Sequence, residues 1–394
     1  MKNYCLTLIK TGLPVLLAVL AANFAHGQQE LTISHDITVL GGVKPIPVSL
    51  DGFSGEVADV LKFDLYIQGF SFVAPDAAQY QISGTAAGSV QGRVVDRIAK
   101  STILSHSYTG TSLRRQAHAF ADDIVQAITH KKGIAQTQIA FKAQSSTGNG
   151  EIYVADFDGH NAQSITHDDT IVAAPAWVPG RLAVYYTSYK RGNPDIFYHN
   201  LGTGQRRVIA GYSGLNTSAA VSPDGSKVAM ILSRSGSPNV WVCNADGTDL
   251  KRLTTSSEDS SPCWSPDGQW ICFATKIAER RMLAKVPAGG GAMQQIPTPG
   301  TPNPTEPDWS PDGKWIAFTS QTAEFDICVV PASGGAPTVL VVGEDPSWSP
   351  NSRTLIFTRR TGGRYVLSVL DVFTKQVKDI ARISGSDSQP AWAR

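Results

Sequence analysis

The stretch "WSPDGKWIAF", Trp309–Phe318, decides how the chain is read. Ser-Pro-Asp-Gly is a turn sequence: proline presets φ at the second position, aspartate bonds nearby backbone, and glycine suits the fourth. After Gly313, Trp315 and Ala317 alternate with Ile316 and Phe318, the period of a strand, so the phrase reads as a β-hairpin. It recurs as "WVPGRLAVY" from Trp177, "VSPDGSKVAM" from Val221, "WSPDGQWICF" from Trp264 and "WSPNSRTLIF" from Trp348. The chain closes on "PAWAR", with Trp392 in the same slot.

Those slots are spaced by 44, 43, 45, 39 and 44 residues. A period near 40–45 residues with several strands per unit marks a β-propeller blade. A third strand follows most hairpins, as in "NVWVCNADG" from Asn239 and "DICVVPASGG" from Asp326, and a short fourth comes next, as in "PTVLVV". "PAWAR" is a strand with no partner after it, while "QIAFKA" from Gln138 and "EIYVADFDGH" from Glu151 are strands with no first strand before them. Together these halves make a sixth blade. The expected architecture is mainly β: a six-bladed propeller over residues 133–394, closed by the Trp392 strand beside Gln138–Ala143, which leaves no open edges.

Residues 28–132 carry no repeat. "KPIPVSL" reads as a buried strand, and Val57, Val60, Leu61 and Leu65 mark one face of a helix with Ser54 as N-cap. "QYQISGTAAG" and "RVVDRIAKSTILSHSY" read as strands. In "TSLRRQAHAFADDIVQAITHKKG", Leu113, Ala117, Phe120, Ile124 and Ile128 form the apolar stripe of a helix, with Lys131 and Lys132 at its C-terminus and Gly133 as its stop. This is a small α/β domain joined closely to the first propeller strand. Ahead of it, "LTISHDITV" alternates like a strand, and Gly41 and Gly42 are expected to loosen its attachment. It is either the first strand of that domain or an arm offered to a partner by strand addition.

Residues 1–27 form a signal peptide: two lysines, a short apolar run "LPVLLAVLAA", and small residues before a cleavage point after Gly27 or Ala25. The exported chain then carries 32 basic residues, without Lys2 and Lys10, against 33 acidic ones, a balance poorly suited to nucleic acid. No further run crosses a membrane. Cys263 and Cys272 flank one hairpin turn and read either as a disulfide or as buried thiols, with Cys243 and Cys328 as buried thiols in strands. No pair has metal-site spacing, and no cofactor is expected.

A signal peptide, then "GGVKPIPV", "YQISGTA", "RRQAHAFADDIVQAIT", "EIYVADFDG", "PAWSPDG"-type repeats and the closing "PAWAR" together resemble the TolB family of the periplasmic Tol-Pal system. The resemblance spans nearly the whole exported chain. It departs at "WVPGR", "SPNS", Val221 and a short middle of the N-terminal domain. It implies a non-enzymatic periplasmic monomer that binds the lipoprotein Pal through one propeller face and engages the inner-membrane protein TolA through its N-terminus, in support of outer-membrane integrity and cell division. It also implies that the loops before each P-x-W carry the Pal surface.

Those loops hold His167, Asp168, Asp169, Asn216, Glu258, Asp259, Asn303, Glu306, Glu344, Asp345 and Asp387, concentrating acidity at one rim. Such a rim favours a basic partner or a cation in the channel. Read as solvated loop positions, Asp168, Glu258, Asp259, Glu306 and Asp345 are expected to accept charge reversal without loss of stability. Gln28, Gln29, Glu30, Leu31, Thr32, Ile33 and Ser34 are the candidate TolA-binding arm. "GYSGL" and "GFSGE" miss the last glycine of a nucleophile elbow, and no H-E-x-x-H, P-loop or G-x-G-x-x-G occurs. The other reading is a periplasmic propeller that binds a small ligand or metal, with lyase or hydrolase activity at its channel.

Overall fold

Each Ser-Pro-Asp-Gly phrase closes on the same small network. Gly313 N–H donates to Ser310 O at 2.9 Å, Ser310 Oγ donates to Asp312 Oδ1 at 2.6 Å, and Trp315 N–H donates to Ser310 Oγ at 3.0 Å. Gly313 sits at φ +77°, the left-handed region where glycine is favoured. The turns at Ser222 and Ser265 repeat the pattern. In the fifth repeat Asn351 replaces the aspartate as acceptor, and Ser352 takes the left-handed position at φ +56°. The departure in the fifth repeat therefore leaves the turn intact.

The computed structural model describes residues 40–394 apart from 146–147, 257, 381–382 and 384. Six four-stranded antiparallel sheets form the blades. Their inner strands are Val172–Trp177, Asn216–Val221, Ser260–Trp264, Pro304–Trp309, Glu344–Trp348 and Ser386–Trp392, numbered here as blades 1 to 6. In blade 6 the Ser386–Trp392 strand pairs with Gln138–Gln144, placing Trp392 opposite Ile139, and Gly150–Asp156 and Gln163–Ser164 complete the sheet. The ring closes as expected.

Second strands such as Trp315–Gln321 are buried on both faces from Ile316 to Ser320, because each blade is sandwiched between two others. Alternation within such a strand chooses a neighbouring blade rather than solvent. The repeat tryptophans also bond between blades. The indole N–H groups of Trp177, Trp264 and Trp348 donate to Ala391 O, Ala220 O and Asp308 O, each one residue before the same slot in the preceding blade. Among the described residues, Cys243, Cys263, Cys272 and Cys328 are free and buried, with Cys263 opposite Cys272 across strands.

Among the described residues, the N-terminal domain is a five-stranded sheet with two helices. Strand β1 (Ile46–Asp51) leads to α1 (Gly55–Tyr66), β2 (Phe70–Phe72), β3 (Tyr80–Ala86), β4 (Val90–Asp96), β5 (Ser101–Tyr108) and α2 (Leu113–Thr129). The sheet order is β2-β1-β3-β4-β5, with β1 parallel to both its neighbours. Strand β2 is short and has no alternation to announce it. Val57, Val60, Leu61 and Leu65 are buried as expected, but the Ser54 side chain makes no capping bond. Ser112 caps α2 by accepting from Arg115 N–H, and the helix ends earlier than Gly133: His130 turns left-handed at φ +56°. No helix among the described residues is long and apolar enough to cross a membrane.

This domain docks on the turn end of blades 5 and 6. Thr354 Oγ1 donates to Ile67 O, Gln376 Nε2 donates to Phe70 O at 2.9 Å, and Phe63 of α1 packs on Phe157, which in turn stacks on Trp392. One hydrophobic cluster runs from Val57 and Phe120 through to Phe141, Ile356 and Trp392. The segment at Gly41 corrects an expectation. Gly41 N–H and Val43 N–H donate to Val372 O and Phe373 O, and Leu40 and Val43 pack against blade 5, so this stretch is tied down rather than loosened. Gln28–Ser34 lie outside the described residues.

A candidate partner interface at the channel mouth

The inner strand of every blade is bulged, and one residue in each bulge adopts a left-handed backbone: Ala174, Ser218, Ser261, Glu306, Asp345 and Gln389, with φ between 49° and 55°. None is glycine, and all but Ser218 precede proline, which disfavours the conformation further. Strain of this kind costs about 1–3 kcal/mol per residue and persists only where surrounding structure dictates it. Here the surrounding structure is the ring itself, and all six residues line its channel, of about 520 Å³.

Side chains of the ring bond the backbone of the next blade. Asp345 N–H donates to Glu306 Oε2 at 3.0 Å, Gln389 N–H donates to Thr358 Oγ1 at 3.2 Å, and Ala174 N–H donates to Gln389 Oε1 at 3.0 Å. Glu306 Oε2 also accepts from Thr319 Oγ1 at 2.7 Å. The chemistry is lopsided: alanine and two serines on blades 1–3 face glutamate, aspartate and glutamine on blades 4–6. Burial, then the charges of Glu306 and Glu344, hold the Asp345 carboxyl well above the usual carboxylate range. Burial and Glu306 likewise raise Glu344, and burial lowers Lys142, the cation whose pull on Asp345 partly opposes that. Glu306, Glu344 and Asp345 thus form an acidic cluster on this side of the channel, complementary to a cationic group, while Arg394 in the same lining is paired with Asp308.

The other rim residues divide into three groups. Asp168 is a buried structural anchor: its carboxylate accepts from both terminal nitrogens of Arg206 at 3.0 and 2.6 Å, from Lys190 at 3.0 Å and from Ser188 at 2.9 Å. Burial pushes its pKa up, but those bonds outweigh it and hold the carboxyl down at about 2. Asp259 is buried on Thr254, Ser256 and Thr275. Asn216 is buried on the backbone of Tyr212 and Pro194. Asp387 is buried, and burial pushes it up to about 6. These four are not solvated loop positions, and neither is the bulge pair Glu306 and Asp345, so the expectation of harmless charge reversal is corrected for Asp168, Asp259, Glu306 and Asp345. Glu258 is half-exposed and paired with Lys276 and Arg281. His167, Asp169 and Asn303 are exposed, Asp169 accepting from Asn149.

Sequence reasoning missed Ala174, Ser218, Ser261, Gln389 and Lys142. Four of these occupy the slot three residues before the repeat Trp or Val, immediately ahead of proline in three cases, and that position was legible as a repeat. Lys142 enters from the neighbouring strand of blade 6, and no periodicity marks it.

Comparison with known proteins agrees with this architecture. Residues 125–394 match the TolB beta propeller domain model. The Tol-Pal system protein TolB of Bordetella pertussis is 28% identical over 286 residues, 71% of this chain and 64% of that protein. The chain thus spans just under two thirds of the length of the curated relatives it matches. The crystal structure of TolB from Acinetobacter baumannii superposes with a TM-score of 0.82 at 20% identity, covering 90% of this chain and 98% of that one. A chain of a nidogen/laminin complex superposes at 0.55 and 13% identity over 66% of this chain and 98% of its own, which shows how general the propeller is. With the family model covering the six blades and α/β elements preceding them, the chain belongs to the TolB β-propeller family.

Proposed function

We propose that this protein is a non-enzymatic, exported scaffold of a Tol-Pal-type envelope complex, working in the periplasm. A Pal-type lipoprotein docks at the channel mouth through Glu306, Glu344 and Asp345, and the arm Gln28–Ser34 engages a TolA-type inner-membrane protein. The observation that carries this reading is the acidic pair Glu306 and Asp345, held on strained pre-proline bulges that line the channel. A basic side chain from the partner would neutralise it. The N-terminal domain docks at the other end of the blades, so the mouth stays open to a partner while the domain is seated.

The test is calorimetric titration of the mature protein with the soluble domain of a Pal-type lipoprotein. The double variant Glu306→Gln, Asp345→Asn keeps acceptor atoms for the ring bonds but removes the charge. It is expected to weaken binding at least about 10-fold, or ~1.4 kcal/mol, with an unchanged circular dichroism spectrum. Because Asp345 and Glu344 ionise above the usual carboxylate range, wild-type binding to a basic partner should strengthen as pH rises through their raised values. Equal affinities in wild type and double variant would move the interface elsewhere.

A further inference from the structure

Outside the channel, the densest group of buried titratable side chains lies where the N-terminal domain meets blade 6. Asp64 comes from α1, His118 from α2, and Asp158 from the turn after the Gly150–Asp156 strand. All three are buried, and one ligating atom from each lies within 4.8 Å of the other two. His118 Nδ1 is 2.7 Å from Asp64 Oδ2, and His118 Nε2 is 3.6 Å from Asp158 Oδ2. The Arg114 guanidinium bonds Asp158 and reaches Glu56 at 3.3 Å. Asp122, one turn further along α2, feels the His118 charge while its carboxylate accepts from Ala135 N–H and Gln136 Nε2, and Phe157 meets the imidazole edge-on.

The protonation state follows from this arrangement. A carboxylate faces each ring nitrogen, on different edges of the imidazole. A neutral ring donating to Asp64 through Nδ1 would turn the lone pair of Nε2 toward the Asp158 carboxylate, a buried repulsion across the joint. Protonation at Nε2 converts that repulsion into attraction and gives a partner to an atom that otherwise has none. A chelated ion fits less well, because Asp64 and Asp158 approach different nitrogens and the Arg114 cation already occupies Asp158.

We propose that this joint is a proton-dependent latch: doubly protonated His118, wedged between Asp64 of the N-terminal domain and Asp158 of blade 6, holds the two together, and loss of that proton releases them. Burial alone would lower the His118 pKa, but the bond and charge of Asp64 and the charge of Asp158 outweigh it and raise it. Burial pushes Asp64 up to about 7. The Asp158 charge is the part of the His118 shift that crosses the joint, so the closed joint holds the His118 proton more tightly than the open one. The His118 contribution is therefore full below the ordinary histidine range and lost as pH rises through its raised value, while the Asp64 contribution already declines above the ordinary carboxylate range.

The experiment is hydrogen exchange on the full chain from pH 5.5 to 9, corrected for intrinsic rates. Peptides from α1 and α2 are followed, with the Trp270–Ile277 strand of blade 3 as internal reference. Wild-type α1 and α2 should lose protection at least about 10-fold between pH 6 and pH 9 relative to blade 3. His118→Gln should lower protection at pH 6 and shrink the step at least about 3-fold, leaving only what Asp64 contributes. Asp158→Asn, which leaves the domain's own His118–Asp64 pair intact, should shrink the step at least about 3-fold, and it serves if the His118 variant does not fold. A flat wild-type profile, or a step of undiminished size in either variant, overturns the latch. So does Zn²⁺ restoring protection at pH 9 in wild type, because the joint would then be a metal site.

Discussion

Asp168→Asn tests whether the rim acidity is structural on the blade 1 side. The Asp168 side chain is fully buried, and it ties the loop entering blade 1 to Arg206 on the outer strand and to Lys190. A carboxyl held at about 2 against an ordinary 3.8 corresponds to roughly 2 kcal/mol of preferential stabilisation of the charged form. Its cationic partners are 23% and 50% exposed, so solvent screening reduces this to about 1–2 kcal/mol. The sign is that of a depressed acid: the stabilisation is fully present above the unfolded-state pKa and is lost as pH falls toward 2. Urea unfolding followed by tryptophan fluorescence should therefore place Asp168→Asn about 1–2 kcal/mol below wild type at pH 7 and pH 5. The gap should narrow by pH 3. Asp168→Lys should cost more, because it sets a third cation beside Arg206 and Lys190. A gap below ~0.3 kcal/mol at pH 7, or one that does not narrow on acidification, would refute the anchor.

Deleting Ser386–Arg394 removes the inner strand of blade 6 and opens the ring; the propeller is expected to lose its cooperative melting transition, and an unchanged transition in calorimetry would contradict closure by that strand. Deleting Gln28–Ser34 should abolish capture of a TolA-type domain in a pull-down while leaving the melting temperature and the Pal-type titration unaltered. If only the melting temperature falls and capture persists, the segment is a structural strand.

The repeat period was enough to read the six blades, because each blade must bury its faces against two others and so carries the same Trp, turn and strand in the same slots. Closure was legible for the same reason: a repeat broken at both extremes has one way to complete itself. The functional surface was harder to read. Asp168 and Glu306 both look like loop carboxylates in the sequence, yet one is locked by Arg206 from a strand 38 residues later and the other lines the channel. Those fates depend on which cation arrives through space, which periodicity does not record. The left-handed bulge was also hidden, since alanine, serine, glutamate, aspartate and glutamine share no local signal for positive φ. The Gly41 segment misled for a similar reason: two glycines suggest slack, but their backbone lies where blade 5 offers carbonyls.

The pairing of Ile139 with Trp392 also has a kinetic meaning. Bringing together positions 253 residues apart costs on the order of 5 kcal/mol of chain entropy, so blade 6 is the contact a folding chain makes last. Much of the surface on which the N-terminal domain rests, from Asp158 and Phe157 to Trp392, belongs to that same blade. The domain therefore has no finished seat until the ring is shut. Its docking reports completed assembly, and a chain stalled with five blades would carry an unseated N-terminal domain alongside an unpaired edge at Gln138–Gln144.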